Sequence, residues 1–207
     1  MRNCIIFCAG EFEKLSRPVE KSDLVIAADG GLAHVKKLGL VPDIILGDFD
    51  SLGYVPEGAE LHPVEKDDTD SMLAIKKGLQ LGCDTFYLYG ALDGGRVDHT
   101  MANFQALQYL SERGARGYLV GLRQIVTAVT DGSIRMPDSW EGYLSVFCMG
   151  TDATGVTIRG AKYEVEDATL SSGFPLGVSN QFIGKLATVS AEKGTLLLIW
   201  DRVNGIP

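Results

Sequence analysis

A chain of 207 residues can form one large domain or two modest ones, and either arrangement can bury a real core. Its apolar fraction of 45% and charged fraction of 22% are those of an ordinary globular protein, and no run approaches the roughly 18 apolar residues of a membrane helix. A net charge of −8 argues against nucleic acid as a main partner, because phosphate backbones select a basic face. An acidic protein still binds nucleotides when metal ions bridge the two.

The chain opens on the apolar stretch Met1–Gly10, which carries a single Arg and leads straight into an acidic segment. A secretory signal needs a longer apolar region and a small-residue cleavage site, so a first buried strand is expected, in a cytoplasmic protein. Further strand-like runs follow at Leu24–Ala28, Ile44–Leu46, Thr85–Tyr89 and Tyr118–Val120. Helical spacing appears between them, with Met72, Ile75 and Leu79 on one face of 71–81 and Met101, Phe104, Leu107 and Leu110 on one face of 100–113. Gly82 and Gly114 stand where helix C-caps are expected. This alternation predicts an α/β domain over residues 1–122, with a mostly parallel, Rossmann-like sheet covered on both faces.

The texture changes near residues 121–124. Short runs at 124–130, 133–136, 143–148, 155–158, 162–165, 177–183, 187–191 and 195–200 are separated by Gly, Asp or Pro, with no helix between them. They predict a smaller all-β sandwich or barrel over 123–207. Cys4, Cys8, Cys83 and Cys148 form no C-x-x-C pair, and small buried side chains explain them better than zinc ligands or disulfides.

Acidic residues gather where the predicted strands end. Leu24–Ala28 runs into Asp29-Gly-Gly31, and Ile44–Leu46 runs into Gly47-Asp-Phe-Asp-Ser51. Ligands of open parallel sheets collect at the carboxyl ends of strands, so these carboxylates are expected in one crevice. In an extended chain Asp48 and Asp50 face the same side, as two hard oxygen ligands of one Mg2+ would. Glu65-Lys-Asp-Asp-Thr-Asp70 precedes a helix: Thr69 and Asp70 suit a cap and the helix dipole, while Lys66 suits phosphate. In Gly90-Ala-Leu-Asp-Gly-Gly-Arg-Val-Asp-His99, the glycines admit phosphate to the backbone and Arg96 offers a fork of donors. Asp98 and His99 stand at the entry of the next helix, with His99 as an orienting or packed residue. His34 and His62 carry no functional reading.

Taken in order, these segments resemble the thiamin pyrophosphokinase family. The resemblance rests on Asp29-Gly-Gly31, Gly39-Leu-Val-Pro-Asp43, Gly47-Asp-Phe-Asp-Ser51, Glu65–Asp70 and Gly94-Gly-Arg-Val-Asp-His99, and spans residues 29–99. It implies Mg2+-dependent transfer of pyrophosphate from ATP to the hydroxyl of thiamin, releasing AMP. It also implies a catalytic α/β domain, a β domain for thiamin binding and dimerisation, and a homodimer with active sites at the interface. Carried over by position, Asp48, Asp50 and Asp70 hold Mg2+ with Asp29 beside them. Lys66, Thr69, Arg96, Asp98 and His99 attend ATP, and Ser179 and Asn180 contact thiamin. The general base stays open between Asp29, Asp98 and metal-assisted deprotonation. Two positions depart from the family pattern: Met72 stands where many bacterial relatives have Asp, and Gln181 where Glu often follows Ser-Asn. Two rival readings are weighed against this one. A D-x-D phosphohydrolase with Asp48 as nucleophile disagrees with Ser51-Leu52, and a non-catalytic thiamin or nucleotide sensor disagrees with the retained acidic set.

Overall fold

A computed structural model describes residues 2–49, 53–62 and 67–207. The chain divides into two compact units, Met1–Ala106 with Gly117–Leu122, and Leu107–Arg116 with Arg123–Pro207. The strands of the chain form both parallel and antiparallel pairs, and helices are few. Among the described residues no helix is long and apolar enough to cross a membrane.

The first unit is built on β1 (Asn3–Phe7), β2 (Leu24–Ala28), β3 (Ile44–Gly47), β4 (Glu60–Leu61), β5 (Thr85–Tyr89) and β6 (Arg116–Val120), in the order β4-β3-β2-β1-β5-β6. The β1–β2, β1–β5, β2–β3 and β3–β4 pairs are parallel. Parallel strands are covered on both faces, which is why β2 reads LVIAA and is buried at every position. Helix α1 (Leu32–Lys37) follows a single 3-10 turn at Asp29–Gly31, and sequence periodicity over so short a stretch did not reveal it. Helix α2 (Asp70–Gln80) starts at Thr69, whose hydroxyl accepts the Met72 N–H at 3.2 Å. Ala74, Ile75 and Gly78 form its buried stripe. Helix α3 (Val97–Ser111) buries Asn103, Ala106, Leu107 and Leu110. Gly82 and Gly114 lie in the left-handed region just past α2 and α3, as helix-ending glycines do.

At the amino end of β2 sits an anchored ion pair. The Asp23 carboxylate accepts from Arg17 Nη1 at 2.8 Å, the Glu20 N–H at 2.8 Å and Asn3 Nδ2 at 2.9 Å. Burial alone would raise this carboxyl's pKa, but these donors outweigh burial and hold it below the usual carboxylate range.

The second unit comprises β7 (Gln124–Thr130), β8 (Ser133–Met136), β9 (Tyr143–Arg159), β10 (Val165–Leu170), β11 (Gly177–Gln181), β12 (Ala187–Ser190) and β13 (Lys193–Asp201). Its pairs are antiparallel, and β9 is their common member, bonded to β10, β11, β12 and β13. The sequence reading placed two strands at 143–148 and 155–158, and the structure has one. Gly150 and Gly155, at φ 74° and 63°, lie within β9, and the register against β13 shifts between Lys193 and Thr195. These glycines accompany an irregularity of a continuous strand instead of ending it. The strand expected at 162–165 is absent, and β10 begins at Val165. The Tyr163 N–H and C=O are bound by the Asn180 side chain, at 2.9 and 2.7 Å, and so are withdrawn from any ladder. All four cysteines are free, and Cys4, Cys8 and Cys83 are buried.

Two stability predictions follow from the first unit. Gly90 has φ 66°, and a Cβ there would stand 2.5 Å from the Cys8 carbonyl oxygen, whereas Gly39 at φ 67° faces open space. In urea unfolding, Gly39→Ala should lose about 1–2 kcal/mol from backbone strain alone, and Gly90→Ala clearly more. Because Asp23 has a depressed pKa, its contribution is complete above the ordinary carboxylate value near 4 and is lost as pH falls through the lower folded value. Asp23→Asn should therefore be less stable at pH 7 and show a shallower decline in melting temperature below about pH 4.

Candidate active site

The chain closes tightly where β1 and β5 end. The Cys8 N–H donates to the Tyr89 carbonyl at 2.8 Å, the Gly10 N–H to the Gly90 carbonyl at 2.9 Å, and the Glu11 N–H to the Asp93 carbonyl at 3.0 Å. A Cβ on Gly10 would lie 2.5 Å from the Asp93 oxygen and 2.6 Å from the Gly90 oxygen, so this contact tolerates no side chain. It forms the floor of a cavity of about 500 Å³ at the carboxyl ends of the parallel strands. That volume lies within the range of small-molecule sites.

Asp29, Asp48, Thr69, Asp70, Arg96 and His99 all line this cavity. Asp29 follows β2 directly and adopts φ 47°, a left-handed conformation that Asp tolerates better than most residues. Gly47 brings the end of β3 against it, since a Cβ there would lie 3.1 Å from the Asp29 nitrogen. Asp48 comes next, and then Phe49, buried at φ 58°. This conformation corrects the argument for Asp48 and Asp50, because the chain is not extended between them. Asp50 itself lies outside the described residues, as does Lys66. Asp68 is held by Lys76, whose Nζ is 2.7 Å from both carboxylate oxygens.

The local charge is negative. Cys8, at the cavity floor, has its thiol pushed up to about 12, first by burial and then by the Asp70 carboxylate. It therefore remains a thiol at neutral pH and is no nucleophile. Against the acids stands Arg96, whose Nη2 is 2.6 Å from Asp98 Oδ2. The hydrogen bond from Arg96 holds the Asp98 carboxyl below its ordinary range. Both side chains are well exposed, 69% and 64%, so the pair contributes little stability and Arg96 exchanges partners at low cost. Among the described residues no three metal-ligating side chains stand close enough to enclose an ion by themselves. Mg2+ does not require that, since it keeps several waters and takes one or two carboxylates plus phosphate oxygens. The all-oxygen set of Asp29, Asp48 and Asp70 suits such an ion.

Sequence reasoning missed the polar links within the cavity wall, which join the lining residues Thr69, Ser71, Asn103 and Ala91. Thr69 Oγ1 is 3.0 Å from Ser71 Oγ, which donates to Asn103 Oδ1 at 2.8 Å. Asn103 Nδ2 in turn donates to the Ala91 carbonyl at 2.7 Å. A polar residue on the buried stripe of α3, otherwise Ala106, Leu107 and Leu110, was the available signal.

In the second unit, Ser179 is exposed at φ 60° and its N–H donates to Ser145 Oγ at 3.1 Å. Asn180 is buried, at 4% exposure, and binds its own chain. Its Oδ1 accepts from the Tyr163 N–H at 2.9 Å and the Gln181 N–H at 2.8 Å, and its Nδ2 donates to the Tyr163 carbonyl. Asn180 thereby fixes Tyr163, whose side chain is largely exposed.

The chain was compared with known proteins. Residues 15–119 match the family model described as thiamin pyrophosphokinase, catalytic domain, and residues 133–196 match thiamin pyrophosphokinase, vitamin B1 binding domain. The thiamine pyrophosphokinase of Bacillus subtilis (strain 168) is 26% identical over 189 residues, covering 87% of this chain and 88% of that protein. The crystal structure of thiamine pyrophosphokinase from Bacillus subtilis superposes with a TM-score of 0.84 at 25% identity, covering 96% of this chain and 98% of that one. That of thiamin pyrophosphokinase from Geobacillus thermodenitrificans gives 0.77 at 25% identity, with 96% of each chain covered. With its catalytic segment and its vitamin-binding segment both matched, the chain belongs to the thiamin pyrophosphokinase family.

Proposed function

We propose that this protein transfers pyrophosphate from ATP to the primary hydroxyl of thiamin, releasing AMP. The observation that carries this reading is the convergence of Asp29, Asp48 and Asp70 with Arg96 on one cavity at the strand ends, within the segment that matches the catalytic model. The first unit serves as a Rossmann-like nucleotide domain. The second serves as a β sandwich or barrel that contacts thiamin through Ser179 and Asn180 of β11. Two copies pair with active sites at their interface, in the cytoplasm.

Asp48, Asp50 and Asp70 hold Mg2+, with Asp29 adjoining. When bound, the ion neutralises phosphate charge and stabilises charge developing on the transferred oxygens. The remaining work falls to the protein. Arg96 leaves Asp98 for the nucleotide phosphates, exchanging one carboxylate for oxygens of the same charge. Lys66 and His99 complete the phosphate side. The glycines at 94 and 95 are exposed and carry no side chain, so backbone donors there reach phosphate unobstructed. Asp70 is the first residue of α2, so its carboxylate stands at the helix start. Transfer between phosphate oxygens asks mainly for position and charge compensation, which this set supplies. The negative cavity also suits thiamin, whose thiazolium ring is a permanent cation.

The test is an assay with ATP, Mg2+ and thiamin that scores both products. AMP and thiamin diphosphate should appear in equal amounts and only with thiamin present, and ADP or free phosphate in their place would remove the reading. Asp70→Asn should lower kcat by about 10²–10³-fold with a near-native melting temperature. Near-normal turnover in that variant would take Asp70 out of the mechanism.

A further inference from the structure

The polar links in the cavity wall have a defined direction, and that direction follows from elementary donor counting. The Ala91 carbonyl accepts only, so the Asn103 atom 2.7 Å from it is the amide nitrogen. The other Asn103 amide atom is then the oxygen, also an acceptor, and Ser71 must give it the single hydrogen of its hydroxyl. With that hydrogen committed, the contact between Ser71 and Thr69 is made by the hydrogen of Thr69. Thr69 Oγ1 meanwhile accepts from the Met72 N–H. Every hydrogen in the series therefore points from the start of α2, through α3, to the loop after β5.

This direction changes the role assigned to Thr69. A hydroxyl whose only hydrogen goes to Ser71 has none left for a phosphate oxygen. What Thr69 offers is the cap of α2 and one remaining lone pair. The series also joins two segments of the cavity wall, since Asp70 lies beside Thr69 and Arg96 lies five positions past Ala91. Asn103 is the hub, 5% exposed, with an acceptor turned to one segment and a donor to the other. No other amino acid of similar size presents both functions in that fork.

We propose that Asn103 is a positioning residue for the transfer reaction: it sets the spacing between the Asp70 end of α2 and the Arg96 loop, and it holds Thr69 as an acceptor. The proposal rests on the transfer reading for its catalytic meaning. Small errors in such spacing are costly, because position is most of what the protein contributes.

The test is a double-mutant cycle between Asn103→Asp and Arg96→Ala, read in kcat and, separately, in ATP affinity by calorimetry. The aspartate keeps the acceptor for Ser71 and removes the donor to Ala91. Asn103→Asp should lower kcat about tenfold to a hundredfold. With the spacing already lost, Arg96→Ala should cost several-fold less in that background than in the native protein. A purely structural Asn103 would leave the Arg96→Ala effect unchanged, and multiplicative effects overturn the proposal. As a reference, Asp23→Asn acts at the amino end of β2 and should multiply with Arg96→Ala. If Asn103→Asp does not fold, Ser71→Ala cuts the same series at the α2 side and should give the same reduced Arg96 effect. The affinity cycle needs no turnover, so failure of the wild-type protein to form AMP would sink the transfer reading while the tether is still judged on binding.

Discussion

The first unit depends on how closely two pieces of backbone approach. Where β1 and β5 run out, Gly10 meets Gly90 with no room for a side chain, and the hydrogen bonds from Cys8, Gly10 and Glu11 carry the pairing beyond the strands themselves. That contact gives the cavity a floor of peptide groups. Around it the ends of β2 and β3 and the start of α2 deliver carboxylates, each on a short rigid lead from a buried element. Had the floor been wider by one methyl group, the loop from Gly90 to Arg96 would be displaced from the acids it faces.

Charge is the second constraint. Asp29, Asp48 and Asp70 share one cavity with Arg96, whose guanidinium is exposed and paired with Asp98. The same design explains why Arg96 is exposed and weakly held. A guanidinium locked into a buried pair would leave an uncompensated buried carboxylate behind on changing partners. The Arg17–Asp23 pair shows the opposite choice: its carboxylate is enclosed, fully hydrogen-bonded and structural.

Much of this was legible in the sequence, for identifiable reasons. β2, β5, β7 and β8 fall on the residues that their apolar or alternating pattern predicts, and α2 and α3 match their expected spans to within a few residues. Of the apolar residues expected on their faces, however, Met72, Leu79 and Phe104 are only partly buried and Met101 is exposed. Asp29 and Asp48 could be assigned to one crevice because parallel strands bring their carboxyl ends to one side, whereas Asp70, at the start of α2, joined them through the family resemblance. The failures share a cause. Gly150 and Gly155 resemble strand breaks locally, yet β13 pairs alongside and holds β9 continuous. The 162–165 run is apolar enough for a strand, but Asn180, 17 positions from Tyr163, captures its backbone. Asn103 reads as one polar residue in a helix, and its partners lie 12 and 32 positions away. Long-range hydrogen bonds carry no periodicity, so pattern reading does not register them.

β13 occupies a central place in the second unit, with β7 on one side and β9 on the other, although it is the last strand of the chain. During synthesis β7 and β9 emerge first and must wait for some forty residues beyond β9 before the ladder between them is filled. In that interval both present unsatisfied edges to solvent, each apolar on the side that will become core. Such edges are templates for pairing with other chains. The same arrangement makes β13 an inner strand of the unit, so losing Lys193–Asp201 opens the ladder between β7 and β9. A translating ribosome, and any chaperone that attends it, therefore meets this unit at its most adhesive moment after β9 has emerged and before β13 has.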